Sequence, residues 1–163
     1  LNTSVGGAIL MDNRIHFGNN QRGGEFGHMT IVPEGSMCYC GQKGCVDAYC
    51  NSKILAETTE GNLELFFERL KSNGEHVKPV WSTYLSNLCK AVKNLRMAFD
   101  CDIILGGYVG SYMDDYIDEL RAMVSAKDPF ESTGEYLRVC NYKQEATAVG
   151  AALMYIAPFI ANV

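Results

Sequence analysis

Apolar positions along the chain fall into two alternating periods. From Pro79 to Phe99, Trp81, Tyr84, Leu85, Leu88, Val92, Leu95 and Phe99 recur at helical spacing and predict a long helix with one apolar face. Pro79 suits its first turn, where a missing N–H costs little. Residues 5–10 and 14–17 read as two strands around an Asp12-Asn13 turn. Residues 18–45 are glycine-rich and loop-like, and helical patterning resumes near Val46. Asn62 stands as an N-cap before LELFFERL. DIILGG (residues 102–107) reads as a buried strand entering a tight turn. SYMDDYIDELRAMV (residues 111–124) reads as a helix, with Ser111 and Asp114 spaced like a capping box. YLRVC (residues 136–140) predicts another strand. Residues 145–157 predict a last helix with Ala148, Ala151 and Ala152 on one side. Strands first, then alternating helices and strands, predict one α/β domain without repeats or an internal linker.

Composition narrows the classes. The 163 residues are 47% hydrophobic and 20% charged, enough for one core and too apolar for disorder. A formal charge of -5 does not attract phosphate backbones, so nucleic acid is not an expected partner of this segment itself. The start, LNTSVGGAIL, lacks the basic region of a signal peptide. The apolar stretch AVGAALMYIAPFIANV is broken by Gly150 and Pro158 and does not read as a membrane span. A reducing, cytoplasmic setting is expected, and the leading Leu suggests a piece of a longer chain.

Of seven cysteines, three lie within CYCGQKGC (residues 38–45), spaced C-x-C-x4-C, with His28 ten positions ahead of Cys38. In a reducing compartment such a cluster points to metal ligation rather than disulfides. Cys3His is a common structural zinc set, and four protein ligands leave no position for a reactive water. His28, Cys38, Cys40 and Cys45 are therefore expected to hold a structural zinc. Cys50, Cys89, Cys101 and Cys140 sit in apolar surroundings and read as small core residues.

GEFGH (residues 24–28), then CYCGQKGC, then VDAY (residues 46–49), resemble the ROK family of bacterial sugar kinases and sugar-responsive repressors. The resemblance runs through the chain. Residues 1–9 look like the family's second phosphate loop, residues 103–109 like its adenosine-side glycine motif, and Gly150, Ala151 and Ala152 like a recurrent segment of its C-terminal helix region. It implies an actin-like (ribonuclease H-like) ATPase fold of which residues 1–163 form the C-terminal, sugar-binding lobe. The N-terminal lobe, with the first phosphate loop and the catalytic aspartate of the kinases, would lie outside this chain, as would any helix-turn-helix. It also implies that Glu25 and His28 contact sugar hydroxyls, His28 through the ring nitrogen not used by zinc. Asp47 takes the place of a sugar-binding Glu one methylene longer.

Two departures bear on activity. Where family kinases have G-T-G-x-G-G-G, this chain has Asn2, Thr3, Ser4, Val5, Gly6, Gly7 and Ala8, so three glycines are replaced. Where they run L-G-G-G, this chain has Leu105, Gly106, Gly107 and Tyr108, whose ring is placed to fill nucleotide space. The nucleotide-side positions Thr3, Gly6, Gly7, Gly106 and Gly107 thus read as degraded, and ATP binding as lost or nearly lost. The resulting expectation is a regulator's sugar-sensing domain, closest to the N-acetylglucosamine- and xylose-repressor-like proteins. Such a domain has no catalytic residue, binds a sugar or sugar phosphate effector and self-associates. It would reach DNA only through a separate N-terminal domain. The alternatives are the same lobe of an ATP-dependent sugar kinase, of glucokinase or N-acetylhexosamine kinase type, and a purely structural, oligomerising domain.

Overall fold

The computed structural model describes residues 1–160. Its spine is the predicted long helix, which runs from Lys78 to Phe99 (α4), with Pro79 in the first turn. Trp81, Tyr84, Leu85, Leu88 and Val92 are buried along it, whereas Leu95 is half-buried and Phe99 exposed. The apolar face therefore opens at its C-terminal end, where Asp100 takes a left-handed conformation and stops the helix.

Short helices precede it: Asp47–Cys50 (α1), Ser52–Ala56 (α2) and Leu63–Lys71 (α3). Asn62 caps α3 as predicted, its side-chain oxygen accepting from Leu65 N at 3.0 Å. A second cap went unread in the sequence: Asn51 accepts from Lys53 N and Ile54 N and donates to the Asp47 carbonyl, stitching α1 to α2. Removing such a cap leaves an amide unpaired at the first turn. Asn62→Ala is expected to lower stability by about 1 kcal/mol, read as a lower urea midpoint at unchanged slope.

The core gathers Phe66, Phe67 and Leu70 of α3 with the buried face of α4 and with Leu120 and Val124 of the helix Ile117–Ser125, described below. Trp81 stacks on Tyr84 (5.6 Å between ring centroids), and Phe67 stacks on Tyr112 (4.1 Å). The Tyr84 hydroxyl donates to the Cys50 carbonyl at 2.6 Å, joining α4 to the end of α1.

Strand formation is sparse. Leu10–Met11 (β1) pairs antiparallel with Arg14–Ile15 (β2), and Asp12 and Asn13 both have positive φ, as a two-residue hairpin turn requires. The predicted strand 5–10 is otherwise irregular, because residues 5–8 pack against the turn at 23–28 instead of a partner strand. Ile103–Leu105 (β3) pairs in parallel with Leu137–Val139 (β4), Ile103 facing Leu137.

After β3 come Gly107–Gly110 (α5) and, beyond an irregular turn, Ile117–Ser125 (α6), which packs on α4. The helix expected from Ser111 is thus broken. The Ser111 hydroxyl donates back to the Tyr108 carbonyl at 2.7 Å, so it closes α5 and caps nothing after it. Of the cysteines read as core, Cys50 and Cys89 are fully buried, but Cys140 is half-buried and Cys101 exposed. Cys101 follows the left-handed turn that ends α4, which carries it to the surface.

Ala146–Ile160 forms the last helix (α7), with Ala148, Ala151 and Ala152 exposed, as are Leu153, Met154 and Ile156. The end of the C-terminal apolar stretch, residues 161–163, lies outside the described residues. Among the described residues, no helix is long and apolar enough to cross a membrane.

Candidate metal and sugar site

The loop 29–45 folds back on itself through two isolated bridges, Thr30 with Cys45 and Met37 with Lys43. Gly41 and Gly44 both adopt positive φ (84° and 80°), which lets the chain reverse between its thiols. Cys38 N donates to Gln42 O at 2.8 Å, and Gly41 N to Cys38 O at 3.0 Å. These turns bring one ligand atom each of His28, Cys38, Cys40 and Cys45 within 4.8 Å of one another.

The separations suit an ion. Zinc with bonds of about 2.3 Å to sulfur, in a tetrahedron, holds two sulfurs about 3.8 Å apart and a sulfur and a nitrogen slightly closer. Cys40 Sγ and Cys45 Sγ stand 3.7 Å apart, and Cys38 Sγ and His28 Nδ1 stand 3.8 Å apart. Burial pushes the Cys45 thiol up to about 12, so without a cation this side chain stays protonated. A hydrogen bond from the Gln42 backbone draws the Cys40 thiol down to about 7. A buried thiol beside a partly ionised one is a set that a divalent cation would deprotonate and unify.

With Nδ1 turned toward the thiols, Nε2 faces the other way. It lies 4.0 Å from Glu25 Oε2 and 3.1 Å from the Tyr39 hydroxyl. Glu25 opens the tight turn Phe26–His28, and its own side chain is exposed.

This turn is pressed onto residues 5–8. A Cβ at Gly27 would strike the Val5 carbonyl, and one at Gly24 would strike that of Gly7. The third predicted sugar residue stands behind the same loop. Asp47 is buried (4% exposed) at the start of α1 and accepts from Val5 N at 2.6 Å through Oδ1. The structure therefore brings Glu25 and His28 together in a turn packed on residues 5–8, and Asp47 holds the same segment through the Val5 amide.

The nucleotide-side positions form a second cluster. Thr3, Gly6 and Gly7 are exposed. Asn2 stands where the family motif has glycine, and its Oδ1 accepts from Tyr108 N at 2.8 Å, tying residues 1–4 to the Gly106-Gly107 turn. Tyr108 is 48% exposed. With Thr3, Lys53, Glu64, Tyr112 and Gln144 it lines an open cavity of about 380 Å³. Local sequence carries no sign that Asn2 joins the two loops. Nor did it single out Tyr39, although an aromatic side chain between two metal-type cysteines was visible as such.

Comparison with known proteins places this geometry. The family model described as ROK family matches residues 1–157. An N-acetylmannosamine kinase from Vibrio cholerae is 31% identical over 137 residues, covering 78% of this chain and 46% of the relative. An N-acetylmannosamine kinase from Citrobacter koseri is 26% identical over 161 residues, covering 94% of this chain and 54% of the relative. Among solved structures, a ROK family glucokinase from Streptomyces griseus, in complex with glucose and AMPPNP, superposes with a TM-score of 0.75 at 22% identity, covering 94% of this chain and 58% of that one. The fold is thus the α/β, actin-like ATPase fold of ROK sugar kinases, and the chain spans about half the length of the curated relatives it matches. The expectation of a transcriptional regulator is overturned by these relatives, which are named as kinases.

Proposed function

The chain belongs to the ROK family, and from that premise we propose that it is the C-terminal lobe of an ATP-dependent sugar kinase acting on an N-acetylated hexosamine. The kinase relatives supply the reaction class, and the backbone contact between the Glu25–His28 turn and residues 5–8 is the observation that carries it. A kinase must hold a sugar hydroxyl and a terminal phosphate at bonding distance, and much of its rate comes from that placement. Here the side chains assigned to the sugar and the backbone assigned to phosphate form one packed unit. Movement of one is movement of the other.

In this reading Glu25 accepts from sugar hydroxyls, and a zinc ion on His28 Nδ1 leaves Nε2–H as an aimed donor. The ion, held also by Cys38, Cys40 and Cys45, supplies folding energy and no chemistry. Asp47 commits Oδ1 to the Val5 amide and keeps its second oxygen for the sugar. Thr3 offers a hydroxyl and Gly6 open backbone to phosphate, while Gly7 packs against Phe26 and Gly24. Gly106, Gly107 and Tyr108 border the nucleotide. The residue that removes the proton from the attacking hydroxyl belongs to the other lobe.

Surface character supports a missing partner lobe. Leu10, Met11, Ile15 and Phe17 of the hairpin region and Leu153, Met154, Ile156 and Ile160 of α7 are exposed. Apolar side chains grouped this way are usually covered.

The protein that carries this chain, given ATP and N-acetylmannosamine, is expected to release ADP in step with sugar phosphate, at a rate well above that without sugar. ADP release that no hexose or N-acetylhexosamine stimulates would overturn the reading.

A further inference from the structure

Tyr39 is the side chain of this site that neither the metal nor the sugar assignment uses. It stands between two thiol ligands, so the turn that gathers the cysteines also sets its backbone. Its ring meets His28 edge-on, with centroids 5.2 Å apart and planes at 71°. Its hydroxyl lies 3.1 Å from His28 Nε2, yet the residue is 72% exposed. No core contact holds it there, and it can swing to solvent by a change of rotamer.

The tautomer decides what this contact means. With a metal on Nδ1, Nε2 would carry the ring proton and donate, and the Tyr39 oxygen would accept. A ring N–H makes one strong hydrogen bond. Any sugar hydroxyl that takes the His28 proton must therefore displace the phenol. Glu25 Oε2, 4.0 Å from the same nitrogen, is the second group such a hydroxyl would meet.

We propose that Tyr39 sets the affinity of this site: its phenol oxygen stands in for a sugar hydroxyl on His28 in the free protein and is displaced by the substrate. The proposal rests on the sugar-kinase reading. Displacement sets a threshold. A sugar with a hydroxyl well placed for both His28 and Glu25 recovers the broken bond, and one with a poorly placed hydroxyl does not. The resident phenol thus weakens every sugar that uses His28 by the same factor, and its removal should leave the ratio between sugars unchanged.

The test is Tyr39→Phe in the full protein, with sugar affinity measured by calorimetry for N-acetylmannosamine and glucose. The ring and its contact with His28 remain, and zinc content serves as the control for an intact loop. Affinity for both sugars is expected to rise about 5-fold, the scale of one neutral hydrogen bond. Damage to the fold weakens binding, so tightening separates displacement from a structural role. Unchanged or weaker binding overturns the proposal. Glu25→Ala measured in parallel separates the two readings. If Glu25→Ala loses the sugar while Tyr39→Phe changes nothing, only the role of Tyr39 falls. If the unmodified protein binds neither sugar, the kinase reading falls and this one with it.

Discussion

Glu25→Ala is expected to lower kcat/KM for the sugar by about 10³-fold in the protein that carries this chain, with the melting temperature nearly unchanged. The size follows from the bonds lost. A carboxylate accepting two hydroxyls makes two charge-assisted hydrogen bonds of about 1.5–3 kcal/mol each, and each 1.4 kcal/mol is tenfold. The selectivity follows from where Glu25 sits. Its side chain is exposed, and its part in the turn comes from its backbone, whose carbonyl accepts from His28 N at 3.2 Å. Removal of the carboxylate should therefore leave the turn, and the loop packed against it, in place. The division between KM and kcat is informative. A rise in KM alone marks Glu25 as a uniform binder, and a fall in kcat marks it as holding the attacking hydroxyl in line. Glu25→Gln keeps the shape and loses the charge, so it should fall between. Unaltered sugar affinity in Glu25→Ala would remove Glu25 from the site and leave the domain with a structural role.

What was legible in the sequence is what local rules determine. The long helix was read one residue short at its start and correctly at its end, because period and proline both mark it. The Asp12-Asn13 turn and the Asn62 cap are local hydrogen-bond chemistry and emerged as read. The Cys3His cluster was readable because glycines between the thiols signal reversals of the chain. Misreadings arose where tertiary contacts override local pattern. Ser111 has the spacing of a cap, but its hydroxyl finds the preceding carbonyl. Residues 5–10 read as a strand beside the Asp12-Asn13 turn, but the turn at 23–28 packs against the backbone of residues 5–8. Nothing in a linear sequence shows that Asn2 accepts from the backbone of Tyr108, 106 residues later. The regulator expectation, built on the replaced glycines, is overturned by the relatives named as kinases.

Stripping the metal should disturb both stability and sugar binding, and by more than any single surface change. Zinc-finger peptides draw about 10–16 kcal/mol from their ion. Loop 29–45 leans on helices already formed, so a smaller share, about 4 kcal/mol, is expected here. For a chain of this size each kcal/mol moves the melting temperature by about 2–4 °C, so chelation should lower it by about 10 °C. The loss should not stay local. Cys45 is two residues before Asp47, and Asp47 holds Val5 N at 2.6 Å. His28 closes the turn that presses on the same segment. Losing the ion frees both ends of this clamp, and sugar affinity should drop by about 10–100-fold, as when the support of a ligating histidine is removed. Elemental analysis of protein purified without chelator should find about one zinc per chain, and Cys45→Ser should reproduce the stripped protein's melt. Metal-free protein that melts unchanged in chelator would refute the clamp. It would leave the 3.7 Å approach of Cys40 and Cys45 as ordinary thiol packing.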